Sequence, residues 1–134
     1  MVMGSAVAAE IRRQAEAAYP EECCGILLGR EVDGERRAER AMGAENVAEG
    51  SKRERYVVDP RAILAAEREA GGMKVVGFYH SHPDQAAVPS ATDAAGAWEV
   101  YSYVIVSVRA GVAGEMRAWR LGEGGAGFME EDVV

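Results

Sequence analysis

Val7, Ile11, Ala15 and Tyr19 recur at helical spacing, which predicts a helix over residues 5–19 that stops before Pro20. The pattern then changes. Residues 22–30 read as a buried strand, Val32-Asp33-Gly34-Glu35 as a hairpin turn, and residues 35 to about 46 as a weakly patterned returning strand. Residues 48–55 are polar and unpatterned, 56–58 make a short extended piece, and Asp59-Pro60 supplies an N-cap with proline at the first helical position. That helix is expected to reach residue 70, where Gly71-Gly72 ends it. A central apolar strand over 73–80 follows, then a helix from Ser90 to about residue 98. A second apolar strand covers 103–109, and its partner covers 115–121 across a turn at 111–114. Helices placed before and between apolar strands cover both faces of a mixed sheet, an α/β architecture. The tail after Gly122 is glycine-rich and ends in Glu130-Glu131-Asp132.

Length and charge narrow the classes. At 134 residues and 49% hydrophobic content the chain is expected to be one domain, 1–134, with a single core. A net charge of -7 argues against a nucleic-acid partner, which needs a basic face. No apolar run approaches the roughly 20 residues of a membrane span. Glu10, Arg12, Arg13 and Glu16 interrupt the alanine-rich start, so it does not read as a secretory signal and a cytoplasmic protein is expected. Cys23 and Cys24 are adjacent and leave opposite faces of a strand. They suit neither a disulfide framework nor a two-thiolate zinc site, and are read as reduced thiols in or near the core.

Both histidines of the chain lie in His80-Ser81-His82, at the end of the central strand. Side chains two apart on a strand share a face, so both imidazoles can converge on one ion. With no third histidine, a further ligand must be a carboxylate or a thiolate. Asp93 is the best candidate, because it falls in the first turn of the predicted helix, whose positive end favours an ionised carboxylate. Ser90 and Asp93 also read as a plain helix start, with serine as N-cap and an acid at the third position.

His80-Ser81-His82-Pro83 with Ser90 and Asp93 resembles the signature of the JAMM, or MPN-plus, zinc metalloproteases. A second hallmark of that family, a glutamate in a Glu-x-Cys-Gly strand, is matched by Glu22-Cys23-Cys24-Gly25. With Asn46, Tyr56 and Asp59-Pro60 between them, the resemblance spans most of the chain. It implies a three-layer fold, a mixed β-sheet flanked by helices with cytidine deaminase-like architecture. It further implies one Zn2+ per chain held by His80, His82 and Asp93, with Glu22 as general acid/base and Ser90 stabilising the oxyanion. The implied substrate is a ubiquitin-like or sulfur-carrier protein, cut after its C-terminal Gly-Gly.

Other classes fit less well. The strings that zinc deaminases and zincins require, H-x-E with P-C-x-x-C and H-E-x-x-H, are not present. A non-catalytic MPN-type scaffold typically lacks the intact ligand set. RadC-like proteins associated with DNA repair share the histidine and Ser-x-x-Asp spacing but not the Glu-x-Cys-Gly strand. Only six residues, 84–89, separate Pro83 from Ser90. Lys52, Arg53 and Arg55 form a basic cluster in the loop 48–55, read as an exposed loop with some capacity for partner contact.

Overall fold

The computed structural model describes residues 1–125 and 127–134. In chain order the elements are β1 (Val2–Met3), α1 (Ser5–Ala18), β2 (Cys24–Val32), β3 (Glu35–Ala44) and α2 (Pro60–Glu69). They continue with β4 (Lys74–Pro83), α3 (Ala91–Ala95), β5 (Ser102–Arg109), β6 (Val112–Leu121) and β7 (Phe128–Glu131). The described strands form one sheet in the order β1-β3-β2-β4-β5-β6-β7. The β1/β3 and β4/β5 pairs are parallel and the rest antiparallel.

α1 and α2 each bury one stripe on the sheet. Val7, Ile11 and Ala15 of α1 pack on the face carrying Leu27, Val76, Tyr79, Val104 and Val106. On the opposite face Ala66 and Ala70 meet Ile26, Leu28, Phe78 and Tyr103. Burying side chains such as Ile11 and Leu28 contributes about 1.5–3 kcal/mol each. The sheet is thus covered on both sides, as the order of helices and apolar strands requires.

Two glycines allow the central strands to close up. A Cβ on Gly77 would fall 2.2 Å from the Ser102 carbonyl oxygen of β5. One on Gly25 would meet the Tyr79 ring at 2.2 Å and the Met42 carbonyl oxygen at 2.5 Å. The glycine that follows Glu22-Cys23-Cys24 is therefore a packing requirement, since it makes room for a fully buried tyrosine on β4.

Several boundaries differ from the sequence expectation. The ladder with β5 carries β4 on to Pro83, so the histidines lie inside the strand rather than at its end. Proline's missing N–H makes that a natural last position. The expected helix from Ser90 to residue 98 stops at Ala95, where Gly96 follows, and the Trp98 N–H donates to the Tyr103 hydroxyl instead of a helix carbonyl. β6 begins at Val112, because Ala110 and Gly111 adopt φ of 48° and 84° and turn the chain in two residues. The extended piece at 56–58 is reduced to a single bridge, Asn46 to Val58. β1 and β7 were not expected. Both are short strands at the margins of the sheet, with little apolar alternation to announce them.

Candidate metal centre

β2 and β4 run antiparallel with Cys24 opposite His80. Continuing that register by two residues sets Glu22 opposite His82, and the period of two puts Glu22, Cys24, His80 and His82 on one face. The backbone supports this extension, since the Ser81 N–H donates to the Cys23 carbonyl and the Cys23 N–H to the Ser81 hydroxyl. α3 delivers the remaining groups. The Ser90 hydroxyl accepts from the Asp93 N–H at 3.0 Å, and Asp93 Oδ2 accepts from the Ser90 N–H at 2.9 Å, a reciprocal capping box.

Three donor atoms converge there. His80 Nε2 and His82 Nε2 are 3.1 Å apart, and Asp93 Oδ2 lies 3.2 Å from the first and 3.0 Å from the second. A tetrahedral donor set with bonds of ~2.0–2.1 Å has edges of roughly 3.3–3.4 Å, so this triangle fits one face of such a set. The donor chemistry fits as well, two imidazoles and one carboxylate. His82 Nδ1 donates to the Ala86 carbonyl at 2.9 Å, which turns the Nε2 lone pair toward the triangle. His80 is held differently, stacked on Tyr56 with ring centroids 4.1 Å apart and planes at 19°.

Glu22 stands beside the triangle. One of its carboxylate oxygens lies within 4.8 Å of a ring nitrogen of each histidine, and those two nitrogens lie within the same distance of each other. Only 5% of Glu22 is exposed, and its Oε1 has no hydrogen-bond partner. Glu21, one residue earlier, faces solvent. Burial pushes the Glu22 carboxyl up to about 8, aided by the charge of Asp93 and opposed by His82. Burial lowers His80. For His82 burial acts in the same sense, but the hydrogen bonds with Asp93 and the Ala86 carbonyl outweigh it and the net shift is upward. Burial would raise Asp93, yet its bonds with both histidines hold it well below the usual carboxylate range.

The other candidate donors are engaged elsewhere. The Cys24 sulfur lies 3.7 Å from both the Ala44 and Glu45 carbonyl oxygens, and burial pushes the thiol up to about 12. The Asp84 carboxylate takes the Tyr19 hydroxyl at 2.7 Å and the Ala110 N–H at 2.8 Å.

Asn46 is a residue whose structural part the sequence did not reveal. Its Nδ2 donates to the Glu22 and Arg55 carbonyls, and its Oδ1 accepts from the Ala48 and Val57 N–H groups. One amide thereby ties both ends of the loop 48–55 to the Glu22 backbone, and the Glu22 N–H adds a bond to the Lys52 carbonyl. An asparagine just after a strand was the available signal. Arg53 and Arg55 are exposed on this loop and Lys52 is half-buried. Beside Asp93 an apolar cleft of about 360 Å³ opens, lined by Tyr56, Val58, Ile63, Phe78, Trp98 and Tyr103.

This sheet, with its histidine pair and capped aspartate, defines a JAB-type domain, and the comparison with known families agrees. The chain belongs to the prokaryotic homologs of the JAB domain, whose family model matches residues 4–122. It is 41% identical over 92 residues to the desampylase of Haloferax volcanii, a match covering 66% of this chain and 63% of that protein. It is 34% identical over 122 residues to the CysO-cysteine peptidase of Mycobacterium tuberculosis, covering 90% and 79%. A solved structure from Salinibacter ruber superposes with a TM-score of 0.79 at 39% identity, covering 100% of this chain and 90% of that one. The match spans less than two thirds of the length of the first of these relatives. Among the described residues no helix is long and apolar enough to cross a membrane.

Proposed function

We propose that this chain is a zinc-dependent peptidase or isopeptidase that hydrolyses the bond after the C-terminal Gly-Gly of a ubiquitin-like or sulfur-carrier protein. The observation that carries this reading is the donor triangle of His80, His82 and Asp93 with the buried Glu22 carboxyl beside it. The relatives support the substrate class, being named for desampylation and for cleavage of a CysO–cysteine product.

In this reading His80, His82 and Asp93 hold one zinc ion. Bound zinc supplies Lewis acidity, which polarises a carbonyl and brings the pKa of water to roughly 7. Glu22 takes a proton from the attacking water on its unpartnered Oε1 and returns it to the departing amine, so water is added across the amide bond. Ser90 Oγ already accepts from the Asp93 N–H, which leaves the hydroxyl hydrogen free to donate to the carbonyl oxygen as it gains charge. The apolar cleft and the backbone of 56–58 flank the triangle and offer an extended tail a bed. A glycine tail, having no Cβ, approaches such walls and the donor triangle most closely.

The test is direct. A carrier protein extended past its Gly-Gly by one amino acid, or by a lysine-linked partner, is incubated with the zinc-loaded chain and the products are weighed by mass spectrometry. Chelator-sensitive cleavage after the final glycine, strongly slowed by Gly→Ala there, is expected. Cleavage elsewhere, or indifference to the alanine, overturns the substrate assignment.

A further inference from the structure

The loop between the histidine strand and α3 is anchored at three consecutive carbonyls by side chains from outside it. Gln85 O accepts from the Ser107 hydroxyl on β5, Ala86 O from His82 Nδ1 on β4, and Ala87 O from the Trp119 indole N–H on β6 at 3.0 Å. Register explains the convergence. His82 pairs with Ser107 across β4/β5, and Trp119 pairs with Tyr103, itself the partner of Phe78, so all five side chains leave one face of the sheet. Asp84 fastens the start of the loop through Tyr19 and Ala110.

We propose that Trp119 is a positioning residue for the donor triangle, acting through the Ala87 carbonyl on both His82 and Asp93. The inference rests on the metal-binding part of the function proposed above and not on its substrate. The path is short in both directions. Toward His82, the Ala86 carbonyl that orients the imidazole belongs to the peptide preceding Ala87. Because peptide units are planar, only φ and ψ of Ala87 separate it from the plane that Trp119 holds. Ala87 is itself fully buried. Toward Asp93, Val88 and Pro89 lead to the Ser90 cap, and the fixed φ of proline removes one of the intervening freedoms. One N–H on β6 therefore sets the loop that carries an orienting carbonyl to one donor and the capping serine to another. The Trp119 indole N–H is hydrogen-bonded to the Ala87 carbonyl, not to a donor atom of the triangle, and its ring carries the Arg117 guanidinium 5.0 Å from its centre on β6.

Trp119→Phe removes the N–H and keeps an aromatic ring. Zinc affinity, measured by chelator competition, is expected to fall about 10- to 100-fold, the usual cost of losing a group that orients a ligand. The visible absorption bands of the cobalt-substituted protein should shift with it, while the unfolding temperature of metal-stripped protein stays near wild type. Ser107→Ala should move affinity and spectrum in the same direction, and it carries the test if Trp119→Phe folds poorly. Arg117→Met, which leaves the indole N–H in place, should change neither. Wild-type affinity and spectrum in a folded Trp119→Phe or Ser107→Ala protein overturn the proposal, as does a loss that merely tracks a fall in metal-free stability. Failure of the wild-type chain to bind zinc would strike the proposed function instead, so the two failures are distinguishable.

Discussion

Asp93 uses a single oxygen, Oδ2, both to accept the Ser90 N–H at 2.9 Å and to face His82 Nε2 at 3.0 Å. The helix cap and the donor triangle are thus one structure. Ser90→Ala removes the acceptor for the Asp93 N–H, at about 1 kcal/mol of stability, and the hydroxyl donor, at roughly 100- to 1000-fold in turnover. Ser90→Thr should recover most of both. Thermal unfolding read beside kcat on the same two proteins checks this, and full activity in Ser90→Ala removes Ser90 from the chemistry.

Metal content should be about one zinc per chain, and His80→Ala, His82→Ala or Asp93→Ala should each lower it sharply, since each removes one of the three converging donors. Elemental analysis decides. Asp93→Ala is the sharpest case, because Asp84 and Cys24 are both engaged elsewhere. Glu22, whose carboxylate lies within 4.8 Å of a ring nitrogen of each histidine, is removed as a replacement donor by combining Asp93→Ala with Glu22→Gln, so full zinc retention in that double variant would refute the donor assignment.

Glu22 gives the pH dependence. In metal-stripped protein burial raises its carboxyl from 4.5 to about 8, above its value in the unfolded chain. Its contribution to stability is therefore fully present below the unfolded pKa and is lost as pH rises through about 8. Denaturant unfolding across that window should show wild type losing stability with rising pH and Glu22→Gln losing less. Parallel profiles would mean that Glu22 is not a buried, raised carboxyl. With zinc restored, Glu22→Gln should keep the ion and lose roughly a hundredfold or more in turnover, while Glu21→Gln, on an exposed side chain, should do little.

Gly25→Ala tests the packing reading of the Glu-x-Cys-Gly strand. The new methyl meets both the Tyr79 ring and the Met42 backbone oxygen, and an overpacked contact of this kind costs about 1–3 kcal/mol. The melting temperature should drop accordingly. An unchanged melting temperature would show that β2 and Tyr79 can shift at no cost.

The parts legible in the sequence are those set by local period and local chemistry. The Val7, Ile11, Ala15 stripe marked α1, Asp59-Pro60 marked the start of α2, and alternation required one of Glu21 and Glu22 to face outward, the family pattern choosing Glu22 as the inward one. The α/β layering followed from the order of such stretches, and the family likeness from the His80-Ser81-His82-Pro83, Ser90 to Asp93 and Glu22 to Gly25 motifs. What stayed hidden depends on partners distant in the chain. β1 pairs with residues 35 positions later, which no window along the sequence reveals. The Tyr56 stack on His80, the Asn46 bond to the Glu22 carbonyl and the Trp119 bond to Ala87 each join segments more than 20 residues apart. The third ladder position of β4 beyond His80, Pro83, was hidden because proline reads locally as a stop.

The Asn46 hub has a bearing on how such a domain can diversify. Since one amide clamps both ends of the loop 48–55, the exposed stretch at 49–51 can lengthen while the clamp stays shut. Closing a longer loop costs only about 0.6 kcal/mol per doubling of its length. Insertions there would enlarge the exposed surface of the loop at little thermodynamic expense, leaving the Glu22 backbone where it is. The fold thereby separates a segment open to evolutionary drift from an acid whose position is fixed.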